Sequence, residues 1–199
     1  MTGYVALLRG INVGRGVRIG MGQLRAVANG LGWSDVNTYL QSGNLVFTIP
    51  ARLPSPDLRQ LGDQLTAAVA DTLGVRPAVL VLHRATLTAL VEGNPFPDQA
   101  AAAPRTVHAI VLAEDAGEQT LARVATATER AVQRGSPDIA RVVGRAVWLH
   151  TPDGMGRSEL AGALTRHGGL GRDSHGGVVV ATARNAATLH ALVTLGQAG

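Results

Sequence analysis

Short apolar segments and amphipathic segments alternate along the first 83 residues in an order that few folds accommodate. Alternating apolar and polar residues predict strands, whereas apolar residues three or four positions apart predict helices. In chain order the predicted elements are a strand at 4–8, a helix at 21–31, strands at 36–40 and 45–49, a helix at 56–73 and a strand at 78–82. This βαββαβ order is that of a ferredoxin-like unit.

Capping and turn residues support these boundaries. Gly32 is placed to end the first helix, and Ser42 with Gly43 supplies a tight hairpin turn. Ser55 is the expected N-cap of the second helix, and Pro56 its expected first residue. The residues expected in the core of this half are Val5, Leu7, Leu24, Leu65 and Val79.

The same element order returns later in the chain. A helix at 85–91 and a Pro- and Ala-rich stretch at 94–104 come first. They are followed by predicted strands at 107–112, 139–143, 146–150 and 177–181, helices at 118–132 and 159–167, and a last helix that carries Leu189, Leu192 and Val193. We therefore predict an α+β protein with two ferredoxin-like halves and an extra C-terminal helix, divided into a first half at 1–83, a helix and linker at 84–105 and a second half at 106–199.

The composition excludes several kinds of protein and site. Apolar residues make up 46% of the chain and charged residues 16%, which excludes an intrinsically disordered chain. Cysteine is absent and all 18 basic residues are arginine, so thiol chemistry, disulfides and lysine-dependent sites are excluded. No apolar run approaches the roughly 20 residues of a membrane span. We therefore expect a cytoplasmic protein without a membrane segment, and no feature indicates a cofactor.

The loop that follows the first strand is cationic and rich in glycine. It holds Arg9, Arg15 and Arg18 together with Asn12, and no carboxylate precedes Asp35. The loop leads into a helix whose N-terminal N–H groups favour an anion, so the segment is a candidate phosphate or carboxylate site. The alternative is a flexible connection with solvated arginines.

The tip of the predicted hairpin is the second candidate segment. Ser42 and Asn44 offer hydrogen-bonding groups there, although both residue types are also favoured in turns for structural reasons. In a βαββαβ unit the first two strands run in the same direction, joined by a right-handed crossover. Their C-terminal ends therefore share an edge of the sheet, which should bring Arg9 and Asn12 close to the tip at 41–44.

Three segments carry a family resemblance when they are taken in chain order. They are RGINVG at 9–14, TYLQSGNLVF at 38–47 and TARN at 182–185. Together they resemble the bacterial domain-of-unknown-function 1697 family over nearly the whole chain. The resemblance implies a two-part α+β protein with ferredoxin-like halves, and it implies no established activity, cofactor or catalytic residue. The family usually has lysine at the position of Arg18 and tryptophan at that of Ala186.

The third of these segments adds two candidate site residues, Arg184 and Asn185. They are expected between an apolar strand and the last helix, which repeats the strand–loop–helix arrangement of the first loop. The alternative for Asn185 is an N-cap of that helix. Arg184 has no comparable structural explanation in the sequence.

Other possible sites have weaker support. The six histidines show no spacing typical of metal ligands, so no metal site is predicted. Asp173, Ser174 and His175 are consecutive, and a short loop does not supply the geometry of a catalytic triad. The high pI of about 10.9 reflects arginine rather than net charge, which is only +4. Few aromatic residues are available to stack on RNA bases, and Phe47 is expected in the core.

The sequence leaves three functions open. The leading one is a module that binds a small anionic or phosphate-bearing ligand. The alternatives are a transferase-like enzyme that uses the same arginines to stabilise developing charge, and weak RNA binding through arginines. The candidate ligand-binding residues are Arg9, Asn12, Arg18, Ser42, Asn44, Arg184 and Asn185.

Overall fold

The protein is described here by a computed structural model, which covers residues 3–12, 18–50, 57–173 and 175–197. The strands are β1 (Gly3–Arg9), β2 (Ser34–Thr38), β3 (Asn44–Thr48), β4 (Ala78–His83), β5 (Val107–Leu112), β6 (Ile139–Val143), β7 (Ala146–His150) and β8 (Ala181–Asn185). The α-helices are α1 (Met21–Gly30), α2 (Leu58–Leu73), α3 (Arg84–Glu92), α4 (Pro97–Ala102), α5 (Glu118–Gln133), α6 (Glu159–Thr165) and α7 (Ala186–Gln197). A short 3₁₀ helix spans Met155–Arg157.

The first sheet has the strand order β2-β3-β1-β4, and all of its neighbouring strands are antiparallel. β1 is buried along Tyr4 to Leu8, as its unbroken apolar run predicts. Alternate residues of β1 pack against α1 and α2, and the ring of Trp33 stacks on that of Phe47 with a centroid distance of 3.9 Å. Phe47 is thus a core residue, as expected.

The second sheet repeats this arrangement with the order β6-β7-β5-β8, again antiparallel throughout. Ile110 and Leu112 of β5 pack with Val124 of α5 and with Leu160 and Leu164 of α6. Both sheets therefore follow the βαββαβ order, and the predicted α+β class is confirmed.

The chain forms two compact units that differ slightly from a simple division into halves. The first contains the described residues up to Thr88 together with those from His190 onward, and the second runs from Ala89 to Leu189. The boundary between Leu189 and His190, where the chain leaves the second unit, falls within α7. The predicted C-terminal helix is present, and its end groups with the first unit rather than the second.

The structure corrects three of the predicted elements. The Pro- and Ala-rich stretch at 94–104 contains α4, which begins at Pro97 and carries Asp98 in its first turn. The last strand is β8 rather than 177–181, because the pairing with β5 runs from Ala181 to Asn185. Leu40 lies beyond β2, has a φ of 57° and is 56% exposed, so the alternation that placed it in a strand was misleading.

Two further details of the first unit differ from expectation. Ser55 and Pro56 lie outside the described residues, and α2 begins at Leu58 with Asp57 as its N-cap. The Asp57 carboxylate accepts a hydrogen bond from the backbone N–H of Arg59 at 2.9 Å.

The predicted core residues also divide between the two faces of the first sheet. Leu24 and Leu65 are fully buried in the cluster under the helices, and Val79 packs against it half-buried. Val5 and Leu7 are buried as well, but they alternate with the residues of that cluster along β1 and so lie on the other face.

Candidate functional site

The C-terminal end of β1 lies beside the hairpin tip, as predicted. Leu7 pairs with Asn44, and the backbone N–H of Leu8 donates to the carbonyl of Gly43 at 2.8 Å. On the other side of β1, Arg9 pairs with Ala78 at the start of β4. Four segments therefore meet at one end of the sheet, namely 9–12, 18–20, 38–44 and 76–78. We call this region the β1 edge.

Asn12 fastens the loop to the hairpin tip. Its amide nitrogen donates to the carbonyls of Ile19 at 2.9 Å and Gln41 at 2.7 Å, and its amide oxygen accepts from the N–H of Ile19 at 2.7 Å. Asn12 has a φ of 54°, a left-handed conformation that asparagine tolerates better than most residues. Its side chain thus shapes the β1 edge and is already engaged by the protein itself.

Asn44 and Ser42 stabilise the tip in a similar way. Asn44 is fully buried, and its amide nitrogen donates to the carbonyl of Tyr39 at 2.8 Å and to the hydroxyl oxygen of Ser42 at 2.9 Å. The backbone adds a bond from the N–H of Tyr39 to the carbonyl of Asn44 at 3.0 Å. These contacts correspond to the turn chemistry that was the structural alternative for both residues.

Gly43 allows the tip to lie directly on β1 and the loop. Its φ is +72°, and a Cβ atom there would approach the Cβ of Leu8 to 2.7 Å and the Cδ1 of Ile11 to 2.6 Å. Both the conformation and the space therefore require glycine. Leu40 lies three residues earlier, exposed and in the left-handed region, where a bulky side chain is strained.

The β1 edge collects cationic side chains from distant parts of the sequence. Arg9 and Arg18 are exposed there, as predicted, and Arg76 adds a third exposed arginine just before β4. Arg25 of α1 also reaches this end of the sheet, where its guanidinium donates to the hydroxyl of Thr38 at 2.7 Å. The sequence contains no Asp or Glu at 9–20, 38–44 or 76–78, so the charged side chains of these segments are all positive.

Arg76 was missed by the sequence analysis, although a signal for it existed. The βαββαβ order places the fourth strand antiparallel to the first, and the start of β4 therefore lies beside the end of β1. This rule, applied to residues 76–78, predicts Arg76 beside the end of β1.

Arg184 and Asn185 were expected in a loop, but they are the last two residues of β8. They belong to the second unit and pair there with Ala109 and His108. The Asn185 side-chain oxygen accepts from the N–H of Thr188 at 2.8 Å, so the alternative prediction of an N-cap for α7 is confirmed.

Arg184 is a buried cation. Only 8% of it is exposed, and its guanidinium donates to the Thr182 hydroxyl at 2.7 Å and to the Ala183 carbonyl at 2.9 Å. Burial lowers the pKa of Arg184 to about 10, because desolvation disfavours the charged form. These contacts supply the structural role that the sequence did not reveal.

A group of potential metal ligands lies in the second unit. Ligand atoms of Glu114, Asp173 and His175 all lie within 4.8 Å of one another. Asp173 also shapes its loop, because one carboxylate oxygen accepts from the N–H groups of His175 at 3.0 Å and Gly177 at 2.8 Å. Ser174 lies outside the described residues. Histidine spacing could not indicate this group, because Glu114 comes from a different part of the chain.

None of the described helices has the length and apolar character that a membrane span requires.

The fold is similar to that of a conserved bacterial protein from Streptococcus pneumoniae, with a TM-score of 0.61. The two chains are 18% identical over 98% of each, so the similarity concerns the fold alone. Curated proteins provide no significant sequence match. A family model described as a protein of unknown function, DUF1697, matches residues 1–148. The chain therefore belongs to the DUF1697 family, as the motifs at 9–14 and 38–47 indicated.

Proposed function

We propose that the protein binds a small anionic or phosphate-bearing ligand at the β1 edge through Arg9, Arg18 and Arg76. The observation that carries the proposal is the position of three exposed arginines on segments that contain no carboxylate. Arginine presents a planar set of N–H donors that matches phosphate and carboxylate oxygens, and such charge-assisted hydrogen bonds are stronger than neutral ones.

The surrounding backbone favours the same ligand class. The first turn of α1, which begins next to Arg18, carries no acidic side chain, so the positive end of its dipole is not neutralised locally. Asn12 and Asn44 contribute by holding the loop and the tip in place, and Ser42 adds a hydroxyl at the rim. The exposed side chain of Leu40 offers an apolar contact to a ligand that is not purely ionic.

Binding fits the described edge better than catalysis. The segments 9–12, 18–20, 38–44 and 76–78 contain no His, Asp or Glu that could act as a general acid or base. Arg184 and Asn185, which the sequence suggested as further ligand residues, are assigned to strand and cap roles and are left out of the proposed site.

A thermal-shift screen of phosphorylated metabolites and nucleotides tests the proposal. A free ligand at about 100 times its dissociation constant should stabilise the protein by roughly 2.7 kcal/mol, enough for a clear shift. Each of R9Q, R18Q and R76Q should weaken binding about tenfold or more, since each loses a charge-assisted contact. The matched control is R59Q, which removes an exposed arginine in the first turn of α2.

Three results would count against the proposal. The first is equal loss of affinity in R59Q, which would indicate a general charge effect. The second is collapse of the fold in R9Q, which would make that arginine structural. The third is binding only to RNA, with a steep salt dependence, which would favour the backbone-directed alternative. Turnover of a bound ligand would instead support the transferase-like alternative.

A further inference from the structure

The second unit contains a groove between α5 and α6 with a volume of about 550 Å³. This volume lies within the range of small-molecule sites. The groove exists because the facing positions of the helices carry small residues, including Ala122, Ala127 and Ala163. The turn after α6 closes one side at Gly169, where a Cβ atom would lie 2.4 Å from the carbonyl oxygen of Ala163.

One wall of the groove is a stripe of arginines along α5. Arg123 and Arg130 are seven positions apart on one face of α5, and Arg134, the C-cap residue of this helix, follows four positions later. At a rise of about 1.5 Å per residue, the stripe extends over about 16 Å. Arg166, directly after α6, adds a fourth cation on the other side.

The acidic compensation of this wall is local. Glu159 is the acidic residue that lines the groove, and its carboxylate forms an ion pair with Arg134. Within the part of the chain that the structure describes, no hydrogen bond or ion pair engages the guanidinium groups of Arg123, Arg130 or Arg166. Three cations therefore surround the groove without an internal counter-charge.

The floor of the groove has a different chemistry. Ala127 and Ala163 are only partly buried and present small apolar surface between the arginines, above the buried side chains of Leu160 and Leu164. A ligand that matches both parts carries several negative charges and also an apolar, flat portion that lies on small aliphatic residues. Inorganic phosphate satisfies only the first requirement.

We propose that the groove between α5 and α6 is a binding site for a nucleoside polyphosphate. The phosphate chain is held by Arg123, Arg130 and Arg166, and the base lies on the apolar floor. This site is separate from the β1 edge in residues and in unit, and it does not depend on the function proposed there.

Calorimetric titration with ATP in the absence of divalent metal tests the site. The titration uses the R9Q/R18Q protein, so that any binding at the β1 edge is weakened and the two proposals fail independently. We expect saturable binding that R130Q and R166Q each weaken about tenfold or more. R105Q is the matched control, because Arg105 is exposed in the same unit but outside the groove. The affinity of R105Q for ATP should be unchanged.

A second comparison tests the role of the floor. A163L places a larger side chain in the groove without changing its charge. This variant should bind ATP several-fold more weakly, while its affinity for inorganic tripolyphosphate should be unchanged. Equal affinity for ATP and tripolyphosphate would overturn the proposal of a nucleoside site. An equal effect of R105Q and R130Q would also overturn it, and so would the absence of ATP binding by folded protein, as judged by circular dichroism.

Discussion

Replacing Asn12 with alanine should loosen the β1 edge and lower the stability of the first unit. The Asn12 side chain connects the loop at 9–12 to Ile19 and to Gln41 of the hairpin tip by three hydrogen bonds. A single side chain therefore connects three segments of the β1 edge.

The expected cost follows from those contacts. A net contribution of about 1 kcal/mol per hydrogen bond gives about 3 kcal/mol, and partial rehydration of the half-exposed groups reduces this to about 2 kcal/mol. Alanine at a φ of 54° adds about 1 kcal/mol, because its Cβ disfavours the left-handed region. The free energy of unfolding should therefore fall by about 3 kcal/mol in N12A.

Glycine separates the two contributions. N12G loses the same hydrogen bonds but has no Cβ, so it should be about 1 kcal/mol less destabilised than N12A. Urea unfolding followed by circular dichroism measures the difference between them. Tryptophan fluorescence of a W148F background adds a local probe, because the remaining Trp33 stacks on Phe47 in the core of the same unit.

The same variants connect stability to binding. If Asn12 positions the cationic loop, both variants should bind the anion at the β1 edge more weakly, even under conditions where they are fully folded. A loss of less than about 0.5 kcal/mol in N12A would refute the structural argument, since surface substitutions without specific contacts fall in that range. If N12A loses the expected stability but binds the anion with unchanged affinity, the positioning role of Asn12 is refuted.

Two further predictions concern glycine packing and pH. G43A should destabilise the protein more than G10A, because both residues have positive φ but only the Gly43 Cβ would collide with Leu8 and Ile11; equal melting temperatures for the two variants would contradict this. Burial lowers the pKa of His108 below its ordinary value of 6.5, so the unfolded chain binds a proton at a pH where the folded chain does not. Stability should therefore fall as the pH drops below about 6.5. The fall should be smaller in H108L and should persist in H167Q, which removes an exposed histidine of the same unit; unfolding curves from pH 7.5 to 5 test it.

Elements with a regular apolar pattern could be predicted from the sequence. The strands at 107–112, 139–143 and 146–150 have the predicted bounds, because alternation and the turn at Gly144 define them locally. β8 could not be placed in this way, since Thr182 and Arg184 are buried polar residues whose strand character comes from pairing with β5. The apolar run just before it, which attracted the prediction, includes the exposed Val178 and Val180.

The position of the candidate site was predictable to a larger extent than the roles of its residues. Topology placed the loop after β1 beside the hairpin tip, because the C-terminal ends of parallel strands share an edge. The partners of Asn12 and Asn44 could not be identified, since a hydrogen bond between Asn12 and Gln41 depends on loop coordinates that no pattern encodes. An asparagine in a glycine-rich loop therefore has the same appearance whether it binds a ligand or holds the loop.

The second unit shows why the charge of the β1 edge depends on its residues and not on its topology. The corresponding end of β5 lies beside the turn at Gly144 and Arg145, with the Ala116 N–H donating to the Gly144 carbonyl at 3.1 Å. There, however, Glu114 and Asp115 follow the strand, and Asp115 approaches the Arg145 guanidinium to 4.0 Å.

An edge with the same strand order thus carries carboxylates beside an arginine in the second unit, and arginines in segments without carboxylates in the first. An anion should be attracted more strongly to the end of β1 than to the end of β5, because the arginine at the end of β5 has carboxylates beside it. The molecule therefore contains its own control for the anion titration: a ligand that perturbs residues 9–12 and 38–44 but not 113–116 is recognised by the arginines, whereas one that perturbs both edges equally is responding to the shared backbone geometry.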